Sequence, residues 1–337
     1  MKEMAELFQE TLPTIPVFPA VGNHESIPVD FFAPKSIREP EFSIDWLYEA
    51  LANQWAPWLT SDAVETLRSV GNYELTLASG IRIVSVNDMM CSESNQWLRM
   101  RWEDVCCKDE RSDPDGTLVW LVNVLQDAEN KKQKVYLIRH VPNSSRCTQE
   151  WSNNYYSIVD RYESTIVAIF SGHIHNDEFK IYYRDREAKQ DACAIEYVGP
   201  SATPFTNGNP AFRVYEIDLA TNMIIDHITY YIDLDKANAD GFTTWEVEYS
   251  AKKTFGMENV FPEDWHKLTV EFEDNQELFD QYFKFFHKSY LNGRTCTDSC
   301  KDRTICGMRT ARTRDPCPSS EEVVQKKPIR HECWEKN

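Results

Sequence analysis

Short runs of β-branched and aromatic residues recur through the first two thirds of the chain and end at glycine or polar positions, a pattern typical of buried strands. The predicted strands cover 15–21, 81–86, 134–139 and 165–171. Apolar residues at helical spacing lie between them, over 45–54, 116–128 and 154–163. Strands that alternate with helices predict a layered α/β domain, in which strand pairing can be parallel or mixed.

The pattern changes twice further along the chain. From about residue 194 it is dominated by strands, predicted at 194–198, 212–217 and 224–232. Beyond residue 236, an aromatic-rich segment at 277–290 has its apolar positions near helical spacing. We therefore predict an α/β domain over 1–235 and a helical, cysteine-rich C-terminal domain over 236–337.

Charge and hydropathy exclude some classes of protein. The 337 residues include 54 Asp and Glu against 36 Lys and Arg, which gives a net charge of −18. Nucleic acid is therefore not an expected partner, because affinity for it comes largely from Lys and Arg that neutralise phosphates. Apolar runs stop well short of the roughly 18 residues that a membrane span needs, and the first residues are too polar for a secretory signal.

The cysteines point to an oxidising compartment. Five of the ten lie within 296–337, at positions 296, 300, 306, 317 and 333. Their spacing differs from that of paired C-x2-C zinc knuckles, so disulfides are favoured over a zinc knot. The sequon Asn143-Ser144-Ser145 agrees with a secreted or lysosomal glycoprotein. These features lead us to expect an export signal further upstream, in a longer protein of which this chain is the later part.

Three of the predicted strands lead into residues that can bind metal ions. The following segments are Gly22-Asn23-His24-Glu25, His140 and Gly172-His173-Ile174-His175. Ligands of α/β sheets bind beyond the carboxyl ends of the strands, so residues far apart in sequence can meet there. We predict an extended His-x-His segment that presents both imidazoles on one side, and glycines that allow close approach or a positive φ.

A structural role for these histidines is the main alternative. A lone histidine beside a strand is more often hydrogen-bonded than catalytic, and Gly22-Asn23 is also a good turn sequence. However, four of the eight histidines at three strand ends are hard to attribute to chance. Structural or surface roles are assigned to the other four, which are His227, His266, His287 and His331.

These motifs resemble those of the calcineurin-like metallophosphoesterases, and further matches narrow the resemblance to the acid sphingomyelinase family. The matching segments are VFPAVGNHES at 17–26, NYY at 154–156, DEF at 177–179, PSAT at 200–203 and NPAFRVY at 209–215. The resemblance implies a layered β-sandwich flanked by helices, incomplete at its N-terminus, with a helical disulfide-stapled C-terminal region. It also implies a zinc-dependent phosphodiesterase that hydrolyses sphingomyelin to ceramide and phosphocholine.

Roles for individual residues follow from the same resemblance. Asn23, His140 and His173 match three ligands of one Zn²⁺ ion, and His175 matches a ligand of a second. His24 matches a histidine that contacts the substrate phosphate and is proposed to protonate the departing alkoxide. An imidazole, with an ordinary pKa of about 6.5, is a competent acid in a mildly acidic compartment.

The chain also departs from the family pattern. The family's front motifs, an Asp-x-His pair and a Gly-Asp segment, precede the asparagine motif by many residues, but only 22 residues precede Asn23. The expectation is an impaired chain, with three of four protein ligands for one zinc and one for the other. Arg139 stands where the family usually has glycine, and Asn143 where it usually has proline.

The resemblance also implies three disulfides, Cys91–Cys147, Cys296–Cys300 and Cys306–Cys317, and leaves Cys106, Cys107, Cys193 and Cys333 without an expected partner.

Three functional hypotheses stay open. The protein is a sphingomyelin phosphodiesterase that acts transiently at a membrane or lipid surface, a non-catalytic short form that binds lipid or a partner protein, or a related phosphodiesterase of nucleotides. The fold and the metal motifs do not distinguish these substrates.

Overall fold

The computed structural model describes residues 2–37, 39–100, 112–144 and 146–316. Within these ranges the strands are β1 Tyr73–Thr76, β2 Arg82–Ser85, β3 Val135–Ile138, β4 Ile166–Ser171, β5 Glu178–Asp185, β6 Gln190–Val198, β7 Ala211–Ile217, β8 Ile224–Tyr231 and β9 Glu246–Ser250. The helices are α1 Lys2–Thr11, α2 Asp45–Trp55, α3 Ser61–Val70, α4 Gln96–Met100, α5 Thr117–Asn130, α6 Gln149–Arg161, α7 Leu234–Asp240, α8 Ala251–Phe255, α9 Pro262–Asp274, α10 Gln276–Phe286 and α11 Ser299–Arg309. The predicted α/β class is confirmed.

The larger sheet has the strand order β1-β2-β3-β4-β6-β5. Its central strands β2, β3, β4 and β6 pair in parallel, and β1 and β5 pair antiparallel at the two edges. The sheet is therefore mixed. Because both faces of a parallel sheet are covered, its strands read as nearly continuous apolar runs, as β3 does.

A second sheet, with the antiparallel order β7-β8-β9, packs face to face with the first. Aromatic rings form the contact between the sheets: Tyr215 of β7 lies 4.8 Å from Phe170 of β4 and 5.4 Å from Tyr197 of β6, measured between ring centroids. The predicted sandwich of sheets with helices around it is thus present in the described residues.

Most predicted strands and helices are confirmed. The segments 81–86, 134–139 and 165–171 contain β2, β3 and β4, and the later three predicted strands lie in β6, β7 and β8. The predicted helix 154–163 begins five residues earlier, as α6, because Trp151 and Tyr155 stack one turn apart and both are buried.

The predicted strand 15–21 is wrong. The backbone there is irregular and pairs with no strand in the described part of the chain. Pro16 and Pro19 lack the N–H that a ladder needs. The Pro19 carbonyl instead accepts hydrogen bonds from Tyr73 Oη (2.6 Å) and Ser85 Oγ (3.3 Å), which hold this segment against β1 and β2.

The C-terminal region is helical, as predicted. Trp265 of α9 packs on Phe179 of β5, with ring centroids 4.4 Å apart, and Lys180 Nζ donates to the Gly307 carbonyl of α11 at 3.0 Å. The boundary at residue 236 stays a prediction. Residue 236 lies inside α7. The strand β9, which follows residue 236 in the sequence, pairs with β8, which precedes it.

Two of the three expected disulfides, Cys91–Cys147 and Cys296–Cys300, are present. Cys306 is also disulfide-bonded, but its expected partner Cys317 lies outside the described residues, as do Cys106, Cys107 and Cys333. Cys193 is free and half-buried.

Glycosylation at Asn143 stays a prediction, although the asparagine lies in the interior of this fold. The Asn143 side chain is fully buried, and its Nδ2, the atom that would carry a glycan, donates to the carbonyls of Ser152 and Ala311. Its Oδ1 accepts from Ser152 Oγ at 2.8 Å. Ser145, the last residue of the sequon, lies outside the described residues.

None of the helices in the described ranges is both long and apolar enough to span a membrane.

Candidate metal centre

The predicted ligand segments meet at one edge of the larger sheet. Parallel pairing places the carboxyl ends of β3 and β4 side by side, where the Gly172 N–H donates to the His140 carbonyl at 3.0 Å. The turn that carries Asn23 follows the segment anchored at Pro19 by β1 and β2. Three parts of the sequence therefore converge on one point.

Three potential ligand atoms lie together there. His140 Nε2 is 2.8 Å from Asn23 Oδ1 and 3.2 Å from His173 Nδ1. Ligand atoms bound to one zinc at about 2.0–2.1 Å with tetrahedral angles are about 3.3 Å apart. The spacing and the donor set, one amide oxygen and two imidazole nitrogens, therefore fit a single transition-metal ion.

The protonation of these histidines also suits metal binding. Burial, followed by the positive charges of His173 and His24, lowers the pKa of His140 to about 3. The pKa of His173 is lowered as well, first by burial and then by Arg146. Both imidazoles are thus neutral near pH 7, and the neutral ring is the form that binds metal.

Gly22 allows the Asn23 turn to lie close to His140. A Cβ at Gly22 would be 3.1 Å from His140 Nδ1 and 2.8 Å from Glu25 Oε2. The same Glu25 oxygen accepts the Gly22 N–H at 2.6 Å, and burial raises the pKa of this carboxyl. The prediction of a close approach at Gly22 is confirmed.

The His-x-His segment is a tight turn, so the prediction of an extended segment is wrong. His173 and His175 have φ values of +68° and +65°, and the Ile174 N–H donates to the Gly172 carbonyl at 2.8 Å. That i to i+2 bond closes a γ-turn around His173. Gly172 has no positive φ, and a Cβ there would meet nothing within 4 Å, so neither expectation for this glycine holds.

His175 stands apart from the three clustered ligand atoms. Its Nδ1 is 3.4 Å from the Phe205 carbonyl, and its own carbonyl is 3.4 Å from Ser201 Oγ. Lys288 Nζ in turn donates to Ser201 Oγ at 2.8 Å. His175 is still near enough for its charge to lower the pKa of His140.

His24 follows Asn23 directly and is exposed. Its charge contributes to the lowered pKa values of both His140 and His173, which places it beside the cluster. The five predicted site residues therefore share one region, with Asn23, His140 and His173 in contact and His24 and His175 at its edge.

Two charged residues near the site were not predicted. Asp30 has a buried oxygen, Oδ1, without a hydrogen-bond partner among the described residues. Its negative charge partly opposes the lowering of the His173 pKa by burial and by Arg146. Arg146 lowers the pKa of His173 and also lines a cavity of about 490 Å³. The other lining residues are Glu93, Ser94, Leu98, Arg99 and Thr148. Neither Asp30 nor Arg146 belongs to a strand-end motif, so the sequence carried no signal for them.

A second group of potential ligands lies elsewhere. Atoms of Asp160, Glu163 and Cys193 lie within 4.8 Å of one another. Arg186 pairs with Asp160, and Arg184 pairs with Glu163. The carboxylates are thus already neutralised by guanidinium groups.

Known protein families match this chain over most of its length, including the segments that form the candidate metal centre. The family model for calcineurin-like phosphoesterases matches residues 1–177, and that for the acid sphingomyelin phosphodiesterase C-terminal region matches residues 192–314. Human sphingomyelin phosphodiesterase is 40% identical over 315 residues, which cover 92% of this chain and 48% of that protein.

Two other relatives extend the comparison. Sphingomyelin phosphodiesterase 1 of Caenorhabditis elegans is 33% identical, over 92% of this chain and 53% of that protein. Human cyclic GMP-AMP phosphodiesterase SMPDL3A is 28% identical, over 90% of this chain and 66% of that protein. The chain therefore spans about half the length of the sphingomyelin phosphodiesterases it matches. Since the first family model alone covers more than half of its 337 residues, this chain belongs to the calcineurin-like phosphoesterases, in the branch with an acid sphingomyelin phosphodiesterase C-terminal region.

Proposed function

We propose that this chain is the catalytic part of a zinc-dependent phosphodiesterase that hydrolyses sphingomyelin to ceramide and phosphocholine. The observation that carries the proposal is the convergence of Asn23 Oδ1, His140 Nε2 and His173 Nδ1, with successive distances of 2.8 and 3.2 Å. The names of the human and nematode relatives support the choice of substrate.

The residues divide into two proposed zinc sites. Asn23, His140 and His173 hold one ion, and His175 contributes to a second. Imidazole nitrogens suit zinc, and an amide oxygen is a neutral ligand that leaves the ion strongly Lewis acidic. When bound, the metal would lower the pKa of a water molecule and stabilise negative charge on the phosphoryl oxygens.

His24 is the proposed general acid. It is exposed beside the ligand cluster, so a bound phosphodiester can reach its imidazole. In its protonated form it would donate a proton to the departing alkoxide oxygen.

The proposed compartment is the lysosome or the extracellular space, with transient contact to a lipid surface. Disulfides between Cys91 and Cys147 and between Cys296 and Cys300 support an oxidising compartment. We also propose the division into a catalytic domain over 1–235 and a helical domain over 236–337.

A nucleotide phosphodiester is the second candidate substrate. The cavity is lined by Arg99 and Arg146, and Arg146 is near enough to His173 to lower its pKa. Guanidinium groups at this position favour additional phosphate groups. Glu93 lines the same cavity and favours a cation such as choline. The relative named cyclic GMP-AMP phosphodiesterase gives this candidate a precedent.

Zinc binding and turnover of the 337-residue chain test the proposal. Wild type, His140→Ala and His24→Asn are compared for bound zinc and for hydrolysis of sphingomyelin and of a cyclic dinucleotide. We expect the wild-type chain to hydrolyse sphingomyelin only slowly, because it holds only part of the ligand set implied by the family resemblance. We expect His140→Ala to lose zinc, and His24→Asn to keep zinc but lose the remaining turnover. A wild-type chain that binds no zinc would overturn the metal site, and a higher turnover of the dinucleotide would overturn the choice of sphingomyelin.

A further inference from the structure

A buried ion pair lies directly beside His140. Arg139 Nε donates to Asp88 Oδ2 at 2.9 Å, and both side chains have no solvent exposure. The guanidinium carbon lies 4.2 Å from the ring centroid of Tyr155 and 5.2 Å from that of Trp151. The cation is therefore enclosed by the carboxylate on one side and by aromatic rings on the other.

The same Asp88 oxygen also binds Val141, the residue that follows His140. Asp88 Oδ2 accepts the Val141 N–H at 2.8 Å, in addition to the bond from Arg139 Nε. One carboxylate oxygen thus holds the residue before His140 and the residue after it. On the opposite side, the Arg139 N–H donates to the Phe170 carbonyl at 2.9 Å. These contacts leave the backbone at His140 little freedom to rotate, and the imidazole direction follows from that backbone.

The pair is poorly arranged for stability alone. Desolvation of two buried charges offsets most of their attraction unless hydrogen bonds satisfy the remaining polar atoms. Arg139 Nη1 and Asp88 Oδ1 have no hydrogen-bond partner among the described residues. Arg139 Nη2 lies 3.9 and 3.8 Å from the sulfur atoms of Cys91 and Cys147, which are weak hydrogen-bond acceptors. The bonds that are well made are those that fix the two neighbours of His140.

We propose that Asp88 and Arg139 are positioning residues for His140, which hold its Nε2 within 2.8 Å of Asn23 Oδ1 and 3.2 Å of His173 Nδ1. This inference rests on the proposed zinc site. Groups that orient a metal ligand without touching the metal change metal affinity by roughly 10- to 100-fold when they are removed. The Asp88–Arg139 pair would act in this way through the backbone of residues 139–141.

The experiment uses the 337-residue chain and the double variant Asp88→Leu/Arg139→Met, which removes both charges at similar side-chain volume. A single substitution would leave an unpaired buried charge and destabilise the fold. The matched control is Lys189→Met/Asp315→Leu, which removes another buried ion pair, with a distance of 2.7 Å. Arg312, the second partner of Asp315, keeps its pair with Glu187. Lys189 precedes β6, at the end of that strand opposite Val198 and the site.

Two quantities are measured for each folded variant: the Zn²⁺ dissociation constant by chelator competition, and the imidazole ¹⁵N chemical shifts of His140 in the metal-free chain. We expect the double variant to bind zinc about 10-fold more weakly or worse, with altered His140 shifts, and the control to match wild type. A folded double variant with unchanged affinity and unchanged His140 shifts would overturn the proposal.

Two further outcomes of this experiment also have a defined interpretation. If the double variant does not fold, Arg139→Lys keeps the charge but loses the Nε donor, and the same two measurements apply to it. If wild type binds no zinc, the proposed metal site fails. The positioning role is then judged on the His140 shifts alone, so the two failures are distinguishable.

Discussion

Asp177, two residues beyond His175, forms a buried ion pair with Arg213 of β7, and each side chain is only 3% exposed. Its carboxylate also accepts hydrogen bonds from Thr229 Oγ1 of β8 at 3.0 Å and Tyr249 Oη of β9 at 2.8 Å. All three strands of the smaller sheet therefore bind a residue that lies just beyond the His-x-His segment.

The first prediction concerns this ion pair. Asp177→Asn leaves Arg213 buried without a counter-charge, and loss of one partner of a buried pair costs about 3–5 kcal/mol. We expect the free energy of unfolding at pH 7, measured by urea denaturation, to fall by about that amount. Glu246→Gln breaks the exposed pair with Lys236 and serves as the control, with no measurable change expected. A loss below about 1 kcal/mol for Asp177→Asn would contradict the role assigned to the pair.

The second prediction compares the two glycines of the site motifs. Gly22→Ala would place a Cβ 3.1 Å from His140 Nδ1 and 2.8 Å from Glu25 Oε2, so the Asn23 turn or the His140 ring must move. Gly172→Ala meets no atom within 4 Å and is the matched control. We expect Gly22→Ala to weaken zinc binding at least about 10-fold and Gly172→Ala to leave it unchanged, as measured by chelator competition. Equal affinities in the two variants would show that the close approach at Gly22 does not matter.

The site was predictable from the sequence where it depends on parallel pairing. β3 and β4 have apolar runs that identify them as buried strands, and adjacent parallel strands bring His140 and His173 to the same edge. The pattern at 15–21 is equally apolar. A strand also needs a neighbouring strand to which it is hydrogen-bonded. The prolines at 16 and 19 have no backbone N–H to donate to such a neighbour.

The parts that were not predictable depend on contacts between distant residues. Asp88 and Arg139 are 51 positions apart, and no local pattern connects them. The positive φ values of His173 and His175 are unfavourable for non-glycine residues and are held by the surrounding structure, including the anchor at Asp177. A period-two pattern therefore could not reveal the turn.

The third prediction concerns pH. His227 is 1% exposed, its ring stacks on Trp265, and burial followed by the charge of Arg213 lowers its pKa well below the ordinary value. The histidine is thus neutral in the folded chain but protonated in the unfolded chain below about pH 6.5. Since the unfolded state binds the extra proton, this residue makes stability fall as the pH drops through that value.

His227→Phe keeps an aromatic ring beside Trp265 and removes this titration. Between pH 6.5 and pH 5, the proton uptake costs about 2 kcal/mol at 1.36 kcal/mol per pH unit. We expect the decrease in unfolding free energy between pH 7.5 and pH 5 to be smaller in the variant by about that amount. Urea denaturation of both proteins at the two pH values measures it, and identical decreases would contradict the prediction.

The last prediction compares the two disulfides. Cys91–Cys147 joins residues 56 apart and closes a loop of 57 residues, whereas Cys296–Cys300 joins residues 4 apart and closes a loop of five. In the chain-entropy model these loops stabilise the fold by about 4 and about 2 kcal/mol, because a longer loop restricts the unfolded chain more. We therefore expect Cys91→Ala/Cys147→Ala to lower the unfolding free energy about 2 kcal/mol more than Cys296→Ala/Cys300→Ala does, in non-reducing urea denaturation. The burial of Cys91 and Cys147 adds a packing loss in the same direction. A larger effect of the short loop would show that the disulfides stabilise mainly through native contacts.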